Sequence, residues 1–172
     1  MFVTDTFHAT LQAATAVHHA TVDAAFGTFD LTDRDGYCAF LVAHARALPA
    51  VEAALLAADE IGFRPRTPLL AQDLAALGAP MPEQLPLAPP KSAAAGAGML
   101  YVIEGSRLGG GMLARQVPPG FPRAYLSATH QPGEWRALLA RLDAETRGAD
   151  VSQAIASARA TFDLYKRAAL ST

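Results

Sequence analysis

At 172 residues, 51% hydrophobic and 17% charged, the chain is long enough for one ordinary core and too apolar to be disordered. A formal net charge of −2 with no basic stripe excludes the usual signature of a nucleic-acid binder. The longest apolar runs are broken by Asp, Glu, Arg, Gly or Pro, the segment MFVTDTFHAT does not read as a signal peptide, and the one cysteine, Cys38, cannot form an internal disulfide; these predict a cytoplasmic protein with no membrane span.

Alanine and leucine dominate and β-branched runs are missing, so helix is favoured nearly everywhere. The first predicted helix runs from about Phe7 to Phe26, capped by Thr6 or Asp5, with Leu11, Ala14, His18, Val22 and Ala25 at helical spacing and Gly27 closing it. Thr32, three residues before Asp35, gives a weak capping-box signal for a second helix carrying Tyr37, Phe40, Leu41, His44 and Leu48. Pro49 is expected to kink or break it, because proline lacks the amide hydrogen and its ring meets the carbonyl four residues back. Helix resumes from Val51 to Glu60 with Leu55 and Leu56 facing inward.

Residues 62–68 read as a loop and residues 69–77 as a short helix stopped by Gly78. Five prolines between Ala79 and Pro90 make an extended connector. Ser92 caps the next helix, from Ala93 to about Gln116, which Pro118, Pro119, Gly120 and Pro122 end. A further helix spans roughly Glu134 to Arg147, with Trp135, Leu138, Leu139 and Leu142 inside. Asp150 and Gln153 form a variant capping box for the last helix, whose stripe is Val151, Ile155, Ala158, Phe162 and Tyr165. The expected fold is all-α, one domain over residues 1–172.

Two segments carry chemistry. In the first helix, Thr15, His19 and Asp23 are spaced i, i+4, i+8 and share one face. A neutral imidazole is a good metal ligand, and Asp23 stands where an acceptor could fix its orientation. The bland alternative is that His18 and His19 are ordinary helix-surface residues. In the later segment, Tyr101-Val-Ile-Glu-Gly105-Ser-Arg-Leu-Gly109-Gly110-Gly111-Met-Leu113 places four glycines in an otherwise helical pattern. Each costs about 1 kcal/mol relative to alanine, tolerable where the backbone bends or something must approach it closely. Close helix–helix packing and a simple helix end are the structural alternatives.

The pattern L-x-x-A-T-x-x-x-H-x-x-x-D followed by Y-V-x-E-G-S-x-L-G-G resembles the heme oxygenases, most closely the short bacterial type that accompanies bacteriophytochromes. Between the two, Arg66-x-x-Leu69-x-x-x-Asp73-Leu74-x-x-Leu77-Gly78 resembles the same subfamily. The resemblance implies heme held between a proximal helix and a kinked distal helix, with His19, four residues after Thr15, on the iron in preference to His18. It implies Asp23 as the group orienting that histidine, Gly105 and Gly109 as the glycines that admit iron-bound oxygen, and Tyr101, Gly110 and Leu113 along the same face.

Ser106 stands where animal-type enzymes carry an aspartate that holds a proton-delivering water network, so that a hydroxyl, able to hold a water but not to carry charge, is expected there. At the matching proximal position for a heme propionate the chain has the uncharged Gln12. Lys166 or Arg167 of the last helix would then anchor a propionate, the alternative being a solvated basic turn favourable to the helix dipole.

The implied activity is oxidation of heme by O2, with electrons from a ferredoxin or flavin reductase, to biliverdin, carbon monoxide and ferrous iron. A bacteriophytochrome is the implied recipient of biliverdin. The rival is a protein of the same fold that holds heme without turning it over. His8, His44 and His130 lack partners at metal spacing and read as core-edge or surface. Trp135 and Phe162 read as core, and Arg64 and Arg66 as loop cations forming salt bridges or meeting a redox partner.

Overall fold

The structure is a computed structural model that describes residues 6–58 and 62–172. Its elements, in order, are α1 (Phe7–Phe26), α2 (Arg34–Ala57), α3 (Thr67–Ala76), α4 (Ala93–Leu113), α5 (Ala124–Ser127), α6 (Glu134–Glu145) and α7 (Val151–Leu170). No strand occurs among the described residues, as the composition predicts. The Asp5 cap and the Asp59–Glu60 end of the expected helix lie outside the described residues.

The caps show why the helices start where they do. Thr6 accepts from the Ala9 amide, Ser92 from that of Ala95, and Asp150 from that of Ser152, each satisfying an amide without an intrahelical partner. Two expected devices differ. Asp33, not Thr32, caps α2, because its carboxylate takes both the Asp35 and Gly36 amides while Thr32 turns to Asp30. Gln153 does not close a capping box; it accepts from Ser92 and ties α7 to the start of α4. Helix α3 begins two residues earlier than expected, with Pro68 in its first turn, where a missing amide hydrogen costs nothing.

Pro49 does not end α2, which runs through it from Arg34 to Ala57. Tertiary packing outweighs the lost bond: Leu48, Val51 and Leu55 are all fully buried around it. The Arg46 carbonyl, in the turn Pro49 disturbs, accepts from the Leu85 amide at 2.7 Å, so the proline connector is stitched onto α2. Leu56, expected inside, is 56% exposed; Leu55 alone fills the core there. By length and composition α2 is apolar enough to cross a membrane. Its apolar face, from Tyr37 through Leu55, nevertheless lies in the protein's own core.

Helix α7 is the hub, with α1, α2 and α4 packed around it. At its crossing with α4 a β-carbon on Gly98 would overlap the Ala154 carbonyl, so that glycine permits the backbones to touch. The motif around Asp73 has a structural role. Its buried carboxylate accepts from the Ala124 and Tyr125 amides at 3.0 and 2.8 Å and pins α5, a short helix the sequence reading missed. Leu70 and Leu74 bury the same face of α3, and Gly78 turns the chain with φ +75°.

Candidate functional site

A cleft of about 630 Å³ opens between α1 and α4, with α7 along its side and α5 contributing to its wall. Thr15, His19 and Asp23 line it from α1. The Thr15 hydroxyl donates to the Leu11 carbonyl, so this residue presents its methyl and backbone, not a free donor. His18 does not line the cleft; His19 does, with 64% of its side chain exposed. Its ring lies 5.6 Å from that of Phe162, and its Nε2 is 3.6 Å from an Asp23 carboxylate oxygen. That separation is longer than a hydrogen bond and places a negative charge beside the imidazole.

The facing wall is the glycine stretch of α4. Tyr101, Gly105, Ser106, Gly109, Gly110 and Leu113 all line the cleft. A β-carbon on Gly109 would meet nothing within 4 Å, and one on Gly105 would meet only the rim of Trp135, at 3.6 Å. At these two positions the glycines therefore leave a free surface of main chain; they do not pack another helix. Gly110 differs: a β-carbon there would stand 3.1 Å from the Leu126 carbonyl, so its job is to seat α5. Glu104 and Arg107 turn away from the cleft. Arg107 donates from Nε to both Glu104 oxygens at 2.8 and 2.9 Å, and its other nitrogens donate to the Ala128 and Arg64 carbonyls.

Ser106 is more constrained than a free hydroxyl. It donates its one proton to the Ile103 carbonyl at 2.7 Å and accepts from the Arg66 guanidinium at 2.7 Å. It thus has no donor left for anything in the cleft. Arg66 is 3% exposed, also donates to the Ile103 carbonyl at 2.6 Å, and has its guanidinium carbon 5.2 Å from the centre of the Tyr125 ring. Its Nε is buried with no hydrogen-bond partner among the described residues, and Arg66 lines the cleft. The free donor that the sequence places at position 106 is therefore carried by Arg66.

The buried end of the cleft contains Phe26, Phe40, His44, Tyr125 and Tyr165. His44 donates from Nδ1 to the Phe40 carbonyl at 3.0 Å, leaving Nε2 as an acceptor. Burial, with a smaller contribution from the Arg66 charge, pushes its pKa down to about 4, so it is neutral at pH 7. Burial raises the Tyr125 and Tyr165 phenols, which stay protonated, and the Tyr165 hydroxyl has no partner among the described residues.

Sequence reasoning missed Arg66, His44, Trp135 and Tyr125 as cleft residues; the only available signal was that Arg66 opens a family-like motif. Phe162, read as core, also lines the cleft. Lys166 and Arg167 do not. They line a separate groove on another face of α7, because Arg167 falls in the helical stripe of Ala156, Ala160 and Asp163, whereas Phe162 and Tyr165 face the cleft. Gln12 is at the cleft, as expected, and is uncharged. His8 pairs with Asp143 at 2.8 Å, and His130 is buried, donating to the Glu104 carbonyl at 2.9 Å. No cluster of three or more metal-ligating side chains occurs among the described residues, so an iron ion here needs a ligand frame of its own.

No family model matches the chain. It is 38% identical over 143 residues to a heme oxygenase of Xanthomonas campestris pv. campestris (strain 8004), spanning 76% of this chain and 86% of the relative. Its fold superposes on the crystal structure of NO- and CO-bound heme oxygenase from Neisseria meningitidis with a TM-score of 0.79 at 27% identity, covering 96% of this chain and 91% of that one. The chain belongs to the heme oxygenase family.

Proposed function

We propose that this protein binds heme in the cleft between α1 and α4 and oxidises it, with O2 and external electrons, to biliverdin, carbon monoxide and ferrous iron. The observation that carries the reading is an imidazole on one wall of a 630 Å³ slot and side-chain-free backbone at Gly105 and Gly109 on the other. The residues fit the group: the slot is flanked by Phe162, Val22 and Leu113, and two buried polar groups, the Arg66 Nε–H and the Tyr165 hydroxyl, have no partner among the described residues.

His19 is the iron ligand in this reading, and the Asp23 carboxylate orients the imidazole and favours electron donation from it. Heme supplies the metal that reduces O2 and the meso carbon that is oxidised. The chain supplies direction and protons. Bare main chain at Gly105 and Gly109 leaves room on the distal side, and Trp135 borders the Gly105 end. Arg66 brings to the cleft an Nε–H that no described residue accepts, a donor that a bridging water would satisfy. Neutral His44 presents only its Nε2 acceptor at the buried end, so it can orient a donor there without adding a charge, and it supplies no proton itself.

The finer expectations rest on family resemblance: a ferredoxin or flavin reductase as electron donor, a bacteriophytochrome as recipient, the cytoplasm as the compartment, and one domain over residues 1–172. Incubating the purified protein with heme and a reductant in air tests the activity. Loss of the Soret band with growth of a broad red biliverdin band is expected. A Soret band that persists unchanged would favour a heme-holding protein without turnover.

A further inference from the structure

A second groove lies between the proline connector and one face of α7, with α4 at its base. Its volume is about 1020 Å³ and its floor is apolar, from Leu87 and Met99 to the exposed Ala156 and Ala160. Lys91, Lys166 and Arg167 line it against a single carboxylate, Asp163, leaving a net charge of two positive in a chain that is net negative. None of these three cations has a hydrogen bond or ion pair among the described residues. Set into the floor is Ser157, 9% exposed, whose hydroxyl is buried and has no partner among the described residues. An unpaired buried hydroxyl is unfavourable, and a polar group that reached it would relieve that penalty.

We propose that this groove binds an amphipathic dicarboxylate, with its apolar body on the alanine and proline floor and its two carboxylates on the cations. The reaction's own linear tetrapyrrole product, which retains both propionates, belongs to this class. Naming the product rests on the function proposed above, whereas the ligand chemistry rests on the groove alone. A two-positive rim matches a dianion, and the apolar floor excludes small, fully hydrated dianions as good ligands. The groove would hold product outside the cleft, on a face of α7 different from the one presented to heme.

The test is equilibrium dialysis of biliverdin against the ferric, heme-loaded protein without reductant, so that the cleft is filled. One biliverdin per chain is expected to bind with the Soret band unchanged. The Lys166→Ala/Arg167→Ala double variant should bind about tenfold more weakly, or worse. Ala160→Phe, which fills the exposed floor, should do the same while heme turnover continues at the wild-type rate. Succinate should compete poorly. The proposal is overturned if no biliverdin binds, if both variants bind as wild type does, if succinate competes as well as biliverdin, or if the Soret band declines in step with binding. Turnover without groove binding contradicts this proposal alone; groove binding without turnover contradicts the proposed function alone.

Discussion

Arg66 and Ser106 are joined by a 2.7 Å hydrogen bond in which the guanidinium donates and the hydroxyl accepts, although forty residues separate them. The bond decides which of the two can serve the cleft. Ser106 also donates to Ile103, and its hydrogen-bonding capacity toward the ligand is reduced to one lone pair. Arg66 keeps a free Nε–H.

Ser106→Ala therefore removes an acceptor from a buried cation. The heme-free protein should lose about 1–3 kcal/mol of stability, the cost of an unmet donor on a charged group. Biliverdin formation should slow as Arg66 loses its anchor. Chemical denaturation and single-turnover absorbance measure the two effects. Unchanged stability would show that the pair does not form.

Gly109 and Gly110 should respond to alanine in opposite ways. At Gly109 the new methyl enters open cleft, and removing a helix-interior glycine should stabilise the heme-free protein by about 0.5–1 kcal/mol while impairing oxygen access. At Gly110 the methyl meets the Leu126 carbonyl at 3.1 Å, so α5 must shift and the protein should be less stable. Thermal melts of the two heme-free variants, together with the rate of heme loss during turnover, separate the effects.

His44 makes the fold acid-sensitive. Its folded pKa, about 4, lies below the ordinary imidazole value of 6.5, so the unfolded chain binds the proton more tightly. Stability is intact above pH 6.5 and declines as pH falls toward 4, by an amount on the order of 3 kcal/mol from this group. His44→Asn should flatten that decline in heme-free protein, because its amide nitrogen takes the place of Nδ1 and can still donate to the Phe40 carbonyl without titrating. Denaturant midpoints from pH 7 to pH 4 provide the comparison. Parallel curves for wild type and variant would refute it.

Much of the fold is legible in the chain because its signals are local. Periodic apolar residues and Thr6, Ser92 and Asp150 locate three of the helix starts, and the face shared by Thr15, His19 and Asp23 is visible from spacing alone. Pro49 does not break α2 because its penalty is local whereas the burial of Leu48, Val51 and Leu55 that outweighs it is tertiary. Helix α5 is invisible for a related reason: its starting amides are satisfied by Asp73, some fifty residues earlier. Arg66 resembles a loop cation until α4 is folded against it. Lys166 and Arg167 line the second groove instead of the cleft because Arg167 falls at i+4 from Asp163 and i+7 from Ala160, on a stripe that Phe162 does not share.

The central claim is that His19 holds the iron of heme opposite the Gly105–Gly109 backbone. The most direct measurement is the absorption spectrum of the heme-loaded His19→Ala variant beside wild type, during reduction in air. An altered Soret band and no biliverdin from the variant, with imidazole added to the buffer restoring the wild-type band, is the predicted result. A variant whose spectrum and biliverdin yield match the wild type would place the iron on another residue and contradict the account.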